Sequence, residues 1–339
     1  AMKYLLRTFP YVENLDEVAA GCQRDEWDGL LFDDIPLLLP DAYVAVERAL
    51  ARTENISIGT AVTNLVNRHP SVVAGAAATW QQMCPGRVML GVGRGDTSLS
   101  LAGLTTPSVS QFEQLLKDLT ELLGGQSVHS DHHRLAWTDP DCPQPHISVY
   151  ASGPKVLGVG GRWGDSVTVT VGADPERISW AAQTARQAAQ DAGRTIEVGA
   201  YVVVGVDGPD SAGIDLVRGQ ASISAHFQGG TLARYSSSDQ ELIRSVIDSY
   251  DPTRHSTGAS PQAQQLTTEF LRQFVVVGDA EQCGRHLQRI LDTGLDFLVI
   301  VGADRSVPTE ERLDHDHRIA VDVIHPLREG APVRSQPES

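Results

Sequence analysis

Short apolar runs alternate with longer stretches of helical spacing along almost the whole chain, and this alternation constrains the fold more than any other feature. The runs at 3–8, 29–32, 56–62, 88–92, 147–151, 166–171, 198–206, 274–277 and 297–301 read as strands. They are rich in Val, Ile and Leu and nearly continuous in apolar character, as strands buried on both faces must be. Between them, 15–23, 43–51, 71–83, 110–123, 155–164, 175–192 and 280–293 carry apolar residues at helical spacing. Asp41 stands where an N-cap belongs, and Pro70 where a first-turn proline belongs. Repeated strand–helix units imply a parallel sheet covered by helices. With about eight such units in 339 residues, a (β/α)₈ TIM barrel with insertions at its C-terminal face is the expected architecture. An open, doubly wound α/β sheet is the alternative.

One domain is expected over 2–325, with a disordered tail at 326–339. Two segments interrupt the alternation: 127–145, rich in His, Asp and Pro, and 226–260, rich in Ser, Gln and Gly. Long insertions in a barrel often cover the active-site face, so 226–260 reads either as a lid or as a solvated surface excursion. The formal net charge of −16 argues against a basic surface for nucleic acid or an anionic membrane. No run of about 20 apolar residues could span a bilayer. Cys22, Cys84, Cys142 and Cys283 are widely spaced with no CxxC, which favours free thiols over a disulfide framework or zinc ribbon. A cytoplasmic location is the expectation that follows.

In a barrel, chemistry gathers where the strands end, so the residues just after each strand are the candidates. Ala151-Ser152-Gly153-Pro154-Lys155 joins a strand to a helix. Free N–H groups at the helix start, the Ser152 hydroxyl and the Lys155 charge could cradle a phosphate, although an ordinary strand-to-helix turn looks the same. Gly91-Val92-Gly93-Arg94-Gly95-Asp96 is not a dinucleotide fingerprint. It does place the Asp96 carboxylate on a strand-end loop, as an acid, a base or a simple helix cap. Asp33 and Asp34 end the second strand and repel one another. Thr63 and Asn64 follow the third strand and could hydrogen-bond a planar heterocycle. His69, before Pro70, reads better as a helix-entry residue than as a catalyst. His129, His132 and His133 lack a partner cluster that would fix a metal geometry, and no metal is expected. GxSxG, P-loop and HExxH motifs are all absent, which removes the commonest hydrolase, ATPase and zinc-protease readings.

The ordered set is more specific than its parts. Thr60-Ala61-Val62-Thr63-Asn64, Arg68-His69-Pro70 and Pro85–Asp96 resemble the central signature of luciferase-like oxidoreductases. The run 151–155 through Gly164-Asp165 resembles their cofactor-phosphate segment, and Val276-Val277-Gly278-Asp279 resembles the start of their closing unit. The resemblance covers about residues 2–305 and is nearest to the branch of methylenetetrahydromethanopterin reductase, which uses the deazaflavin F420. It implies a cofactor, F420 or alternatively FMN, a small-molecule substrate and a homodimer. It also implies that Ala61–Val62 is a cis peptide bulging against the ring, that Asp34, Thr63 and Asn64 face the cofactor with Gly93, and that Ser152, Gly153, Pro154 and Lys155 lie near its phosphate. Asp34 and Asp96 are then the catalytic candidates, with Asp96 as acid or base. Several F420-dependent relatives carry His directly after the aspartate, where this chain has Ile35. Three functions follow: hydride transfer between reduced F420 and a C=N or activated C=C bond, FMNH₂-dependent oxygenation with O₂, or a flavin-binding barrel without turnover.

Overall fold

The computed structural model describes residues 2–130, 132–209 and 211–330. Within them lie the nine expected strands: β1 Lys3–Thr8, β2 Gly29–Phe32, β3 Ser57–Asn64, β4 Val88–Gly93, β5 His146–Ala151, β6 Ser166–Val169, β7 Glu197–Val206, β8 Val275–Gly278 and β9 Phe297–Val301. All pairings are parallel. Strands β1 to β7 run in order, and β9 joins β7 to β1 to close a ring of eight. Val203 pairs with both Val275 and Val301, so β8 and β9 lie on opposite edges of β7. Strand β8 therefore occupies the edge of β7 that β6 leaves free beyond the Val169–Ala200 pair. This is a (β/α)₈ TIM barrel with one extra strand at its C-terminal rim.

The period of two along each strand divides the core in two. Outward side chains such as Leu30, Phe32, Leu90, Val149, Leu298 and Ile300 pack against the surrounding helices. Inward ones, Leu5, Leu31, Met89, Phe297 and Val299, fill the barrel. Each large apolar side chain so buried contributes roughly 1.5–3 kcal/mol. Glycine makes the close approaches possible: a Cβ on Gly199 would lie 2.3 Å from the Phe297 ring.

The expected helices form within a residue or two of their expected bounds, and Asp41 caps Ala42–Arg52 by accepting from Tyr43 N and Val44 N. The segment between β7 and β8 differs from expectation. It contains helix Gly213–His226, which the sequence pattern did not mark, then a 3₁₀ turn Phe227–Arg234 and helix Ser237–Asp248. This roof has an apolar cluster of its own, including Leu216, Val217, Ile243, Val246, Phe270 and Phe274. Asp304, just beyond β9, fastens it: its carboxylate accepts from Gly219 N at 2.7 Å and Gln220 N at 2.8 Å.

Two placements correct the sequence reading. Segment 127–145 leads from helix Val109–Leu123 into the start of β5, so it lies at the N-terminal end of the barrel, not at the C-terminal face. Residues 326–329 of the expected disordered tail belong to helix His325–Glu329, and 331–339 lie outside the described residues. No helix among the described residues is long and apolar enough to cross a membrane.

Candidate active site

The ends of the barrel strands and the roof enclose a cleft of about 450 Å³. Arg7, near the end of β1, and Asp33, directly after β2, line it. Both are buried, and the guanidinium grips the carboxylate with two nitrogens, Nε at 2.6 Å and Nη2. Arg7 also stacks over the Phe9 ring at 4.3 Å. The adjacent aspartates are thus separated by giving each its own cation. Asp34 faces Arg68, whose guanidinium bridges Asp34 at 3.4 Å and Asp41 at 2.8 Å.

Asp34 is buried and half satisfied. Its Oδ2 accepts from Thr63 Oγ1 at 2.7 Å, while its Oδ1 is buried without a partner. Buried carboxylate oxygens are normally paired, so this one is available to an N–H or O–H donor entering the cleft. Thr63 Oγ1 also lies 3.2 Å from Tyr43 Oη, and burial pushes that phenol well above its ordinary pKa.

Asp96 stands at the N-cap position of the short helix Thr97–Leu101 but makes no capping bond. The reading of Asp96 as a plain helix cap is therefore corrected. The preceding Gly95 has φ +86°, a conformation that L side chains rarely adopt, and it turns the loop so that Asp96 reaches the cleft. Asp96 Oδ2 lies 2.7 Å from His226 Nε2, with side-chain exposures of 42% for Asp96 and 11% for His226. His226 is the last residue of the roof helix, and its ring stacks on Tyr250 at 3.9 Å. Tyr250 Oη is in turn 2.7 Å from His255 Nδ1, and Thr97 Oγ1 is 3.1 Å from that same nitrogen. Burial, reinforced by Arg7 and Arg305, pushes His255 down to about 3, so it is neutral.

Of the residues expected from sequence, Asp34, Ala61, Val62, Asn64, Gly93, Asp96, Ser152 and Gly153 line this cleft. The Ala61–Val62 peptide is cis, and the β3–β4 register shifts between Thr60 and Thr63. Gly93 faces this bulge: a Cβ there would lie 2.9 Å from Val62 Cγ2. Thr63 does not line the cleft; its hydroxyl points back to hold Asp34. The Asn64 side chain serves the loop, accepting from Val66 N and Asn67 N and donating to Ser98 Oγ at 3.0 Å. Ser152 Oγ donates to Phe227 O of the roof at 2.9 Å. Pro154 and Lys155 are exposed and outside the lining, because the helix that they open turns their side chains to solvent. That helix start has no side-chain cap; Pro154 carries no N–H and Val156 N donates to Gly153 O at 3.1 Å, so Lys155 N is the N–H of the first turn left open. His69 caps Pro70–Met83 by accepting from Ser71 N, and His129 lies 3.0 Å from Asp118; neither lines the cleft. No group of His, Cys, Asp and Glu among the described residues could hold a metal.

The sequence reading missed His226, His255 and Tyr250, the roof's polar contribution. The one signal was position: His226 opens the segment read as a possible lid.

The sequence profile of the luciferase-like monooxygenase family matches residues 15–296. An F420-dependent glucose-6-phosphate dehydrogenase of Amycolatopsis mediterranei is 25% identical over 277 residues, covering 74% of this chain and 74% of that one. A phthiodiolone/phenolphthiodiolone dimycocerosates ketoreductase of Mycobacterium kansasii is 32% identical over 157 residues, covering 43% of each chain. Some matches are partial: one to an F420-dependent glucose-6-phosphate dehydrogenase of Microbacterium testaceum spans 41% of that protein. Among solved structures, the coenzyme F420-dependent tetrahydromethanopterin reductase of Methanopyrus kandleri superposes with a TM-score of 0.77 at 16% identity, covering 96% of this chain and 99% of that one. A monooxygenase of Streptomyces bottropensis superposes with a TM-score of 0.68 at 17% identity, covering 97% and 100%. At these identities the structural likeness speaks for the fold. Because the profile spans most of the barrel, the chain belongs to the luciferase-like monooxygenase family of oxidoreductases.

Proposed function

We propose that this oxidoreductase uses F420 and transfers a hydride between the deazaflavin and a small organic substrate bearing a C=N, C=O or activated C=C bond. The observation that carries the reading is the pair of unlike carboxylates on one cleft. Asp34 is buried, with one oxygen awaiting a donor, whereas Asp96 is half-exposed and presented from a strand-end loop. The first suits holding the edge of a planar ring, and the second suits moving a proton to or from substrate. The residues fit such a cofactor. Asp34 Oδ1 offers an acceptor, the uncapped helix start beside Gly153 suits a phosphate, and Gly93 makes room for the Val62 side chain. When bound, F420 supplies the hydride chemistry; the protein supplies position, exclusion of water by Ile223, Phe227 and Ile247, and the proton through Asp96.

The cations on the cleft wall bear on the charge the substrate can carry. Among the described residues these are Arg7 and Arg94. Arg7 is committed to Asp33, and Arg94 donates to the Pro107 carbonyl at 2.9 Å. Because that carbonyl is neutral, Arg94 keeps its charge and could meet an anionic group on the substrate, as in the glucose 6-phosphate of its relatives.

The roof also suits an FMNH₂-dependent oxygenation, since such chemistry needs a site closed to water. Titration with F420 and FMN, each oxidised and reduced, decides by fluorescence. Micromolar F420 binding that weakens at least tenfold in Asp34→Leu, with weak FMN binding, supports the proposal; preferential binding of reduced FMN moves the protein to the oxygenase class. Binding of neither rules out both cofactors. Lys155→Ala in the same titration reports whether the rim lysine reaches the cofactor's phosphate.

A further inference from the structure

We propose that the roof supplies half of the acid–base centre: His226 is a positioning residue whose Nε2–H orients the Asp96 carboxylate toward the substrate. This rests on the hydride-transfer reading above. Among the described residues, the Asp96 carboxylate has one side-chain hydrogen-bond partner, His226, 130 positions away in sequence. The loop gives up the capping bond that its position invites and accepts from the roof instead. His226 Nδ1 is buried without a partner. A ring nitrogen without hydrogen tolerates that better than an N–H, which assigns the hydrogen to Nε2, where it donates to Asp96.

Three independent ties hold the imidazole there. Its ring stacks on Tyr250 at an interplanar angle of 24°. Tyr250 and His255 of the roof both meet Thr97, the residue after Asp96. Ser152 donates to the carbonyl of Phe227, the residue after His226. With Ile35 packed against Phe9 and Leu39, the β2 rim offers no imidazole, and the roof brings one to the same cleft. A single hydrogen bond thus makes the competence of Asp96 depend on the roof being in place.

The titratable groups facing His226 are Asp96 from the β4 loop, and Tyr250 and His255 from the roof. Burial pushes Tyr250 up and His255 down to about 3, so neither changes charge in the working range.

The test compares His226→Phe, which keeps a ring against Tyr250 but loses the donor, with His226→Gln, whose amide can donate in its place. In His226→Phe, kcat should fall about 10–100-fold with F420 affinity and KM nearly unchanged, as expected for loss of one hydrogen bond to a charged group. The acidic limb of kcat/KM for oxidation should move to higher pH, because the ionised base loses its donor. His226→Gln should restore most of both. In the free protein, long-range ¹H–¹⁵N NMR of the His226 ring should show the Nε2–H tautomer and should change in Asp96→Asn. Unchanged kinetics and pH profile in His226→Phe, with normal F420 binding, overturn the positioning role alone. A ring that averages both tautomers and ignores Asp96→Asn overturns the pairing whatever the cofactor. Failure of the wild-type protein to bind F420 overturns the hydride-transfer reading, and the catalytic role with it.

Discussion

Arg7→Met should be among the most costly single changes in the cleft, and its cost should vanish when Asp33 is replaced too. Arg7 and Asp33 are 3% and 4% exposed and meet fork to carboxylate. Methionine keeps much of the side-chain volume beside Phe9 but leaves a buried carboxylate unpaired, which costs about 3–5 kcal/mol. The double variant Arg7→Met/Asp33→Leu replaces the ion pair with apolar groups of similar volume. It should fall within about 2 kcal/mol of wild type, for a coupling energy of at least about 4 kcal/mol if each single variant costs about 3–5. Urea unfolding of wild type, both single variants and the double variant measures this directly. The pH dependence has a definite sign. Burial holds Asp33 above the ordinary carboxylate range even beside Arg7, and losing the guanidinium pushes it further up. The native variant then keeps a proton that the unfolded chain releases above about pH 4, so its stability falls as pH rises. The cost of Arg7→Met should therefore be larger at pH 8 than at pH 5. A double variant as unstable as the sum of the singles, or a cost independent of pH, would refute the uncompensated-charge argument.

Thr63→Val keeps the shape but removes the hydroxyl between Asp34 and Tyr43. It should lower stability by about 1–3 kcal/mol in urea and weaken F420 binding about tenfold in the fluorescence titration, the size of effect expected when a supporting hydrogen bond is lost. His255 and His315, both pushed down to about 3 by burial, bind no proton in the native state between about pH 3 and 6.5, whereas the unfolded chain does. Their contribution to stability is therefore lost as pH falls through that window. Asp304 and Asp316, pushed up to about 7 by burial, act in the opposite sense above about pH 4. The difference between His255→Gln and wild type isolates one of these protons: in urea series from pH 4.5 to 6, its slope should be shallower by about 1.4 kcal/mol per pH unit. Gly59→Ala would place a Cβ 1.6 Å from the Met89 carbonyl oxygen in the paired strand. It should destabilise by more than about 3 kcal/mol or abolish soluble expression, read by unfolding or solubility.

The strands were legible because burial on both faces leaves a continuous apolar run, and the helices that cover them were legible because each keeps one apolar stripe. Helix Gly213–His226 escaped for the opposite reason. Roof and barrel bury it nearly all round, and Gly219, Ala221, Ser222 and Ser224 fit tight spaces without forming a stripe. Helix Thr309–Arg318 escaped because it is almost wholly polar, with Arg312 and His315 as its buried positions.

The same division runs through the site. Asp34, Asp96 and the 61–64 bulge could be read because a parallel barrel delivers every strand end to one rim, so residues remote in sequence share a cleft by topology alone. What each side chain does on that rim depends on its partner, and the partners come from wherever the chain folds back. Thr63 was expected to face the cofactor and instead holds Asp34; Lys155 sits in a cradle motif but points to solvent. Asp96, legible as a strand-end carboxylate, takes its hydrogen bond from a histidine that no local pattern ties to it. Ile35 shows why that matters. A family member without a histidine beside its strand-two aspartate looks impaired as long as only the rim is read. The roof brings an imidazole to the same cleft, so, if the proposed roles of Asp34 and Asp96 hold, a change in the inserted segment could redirect proton chemistry while the barrel stays as it is.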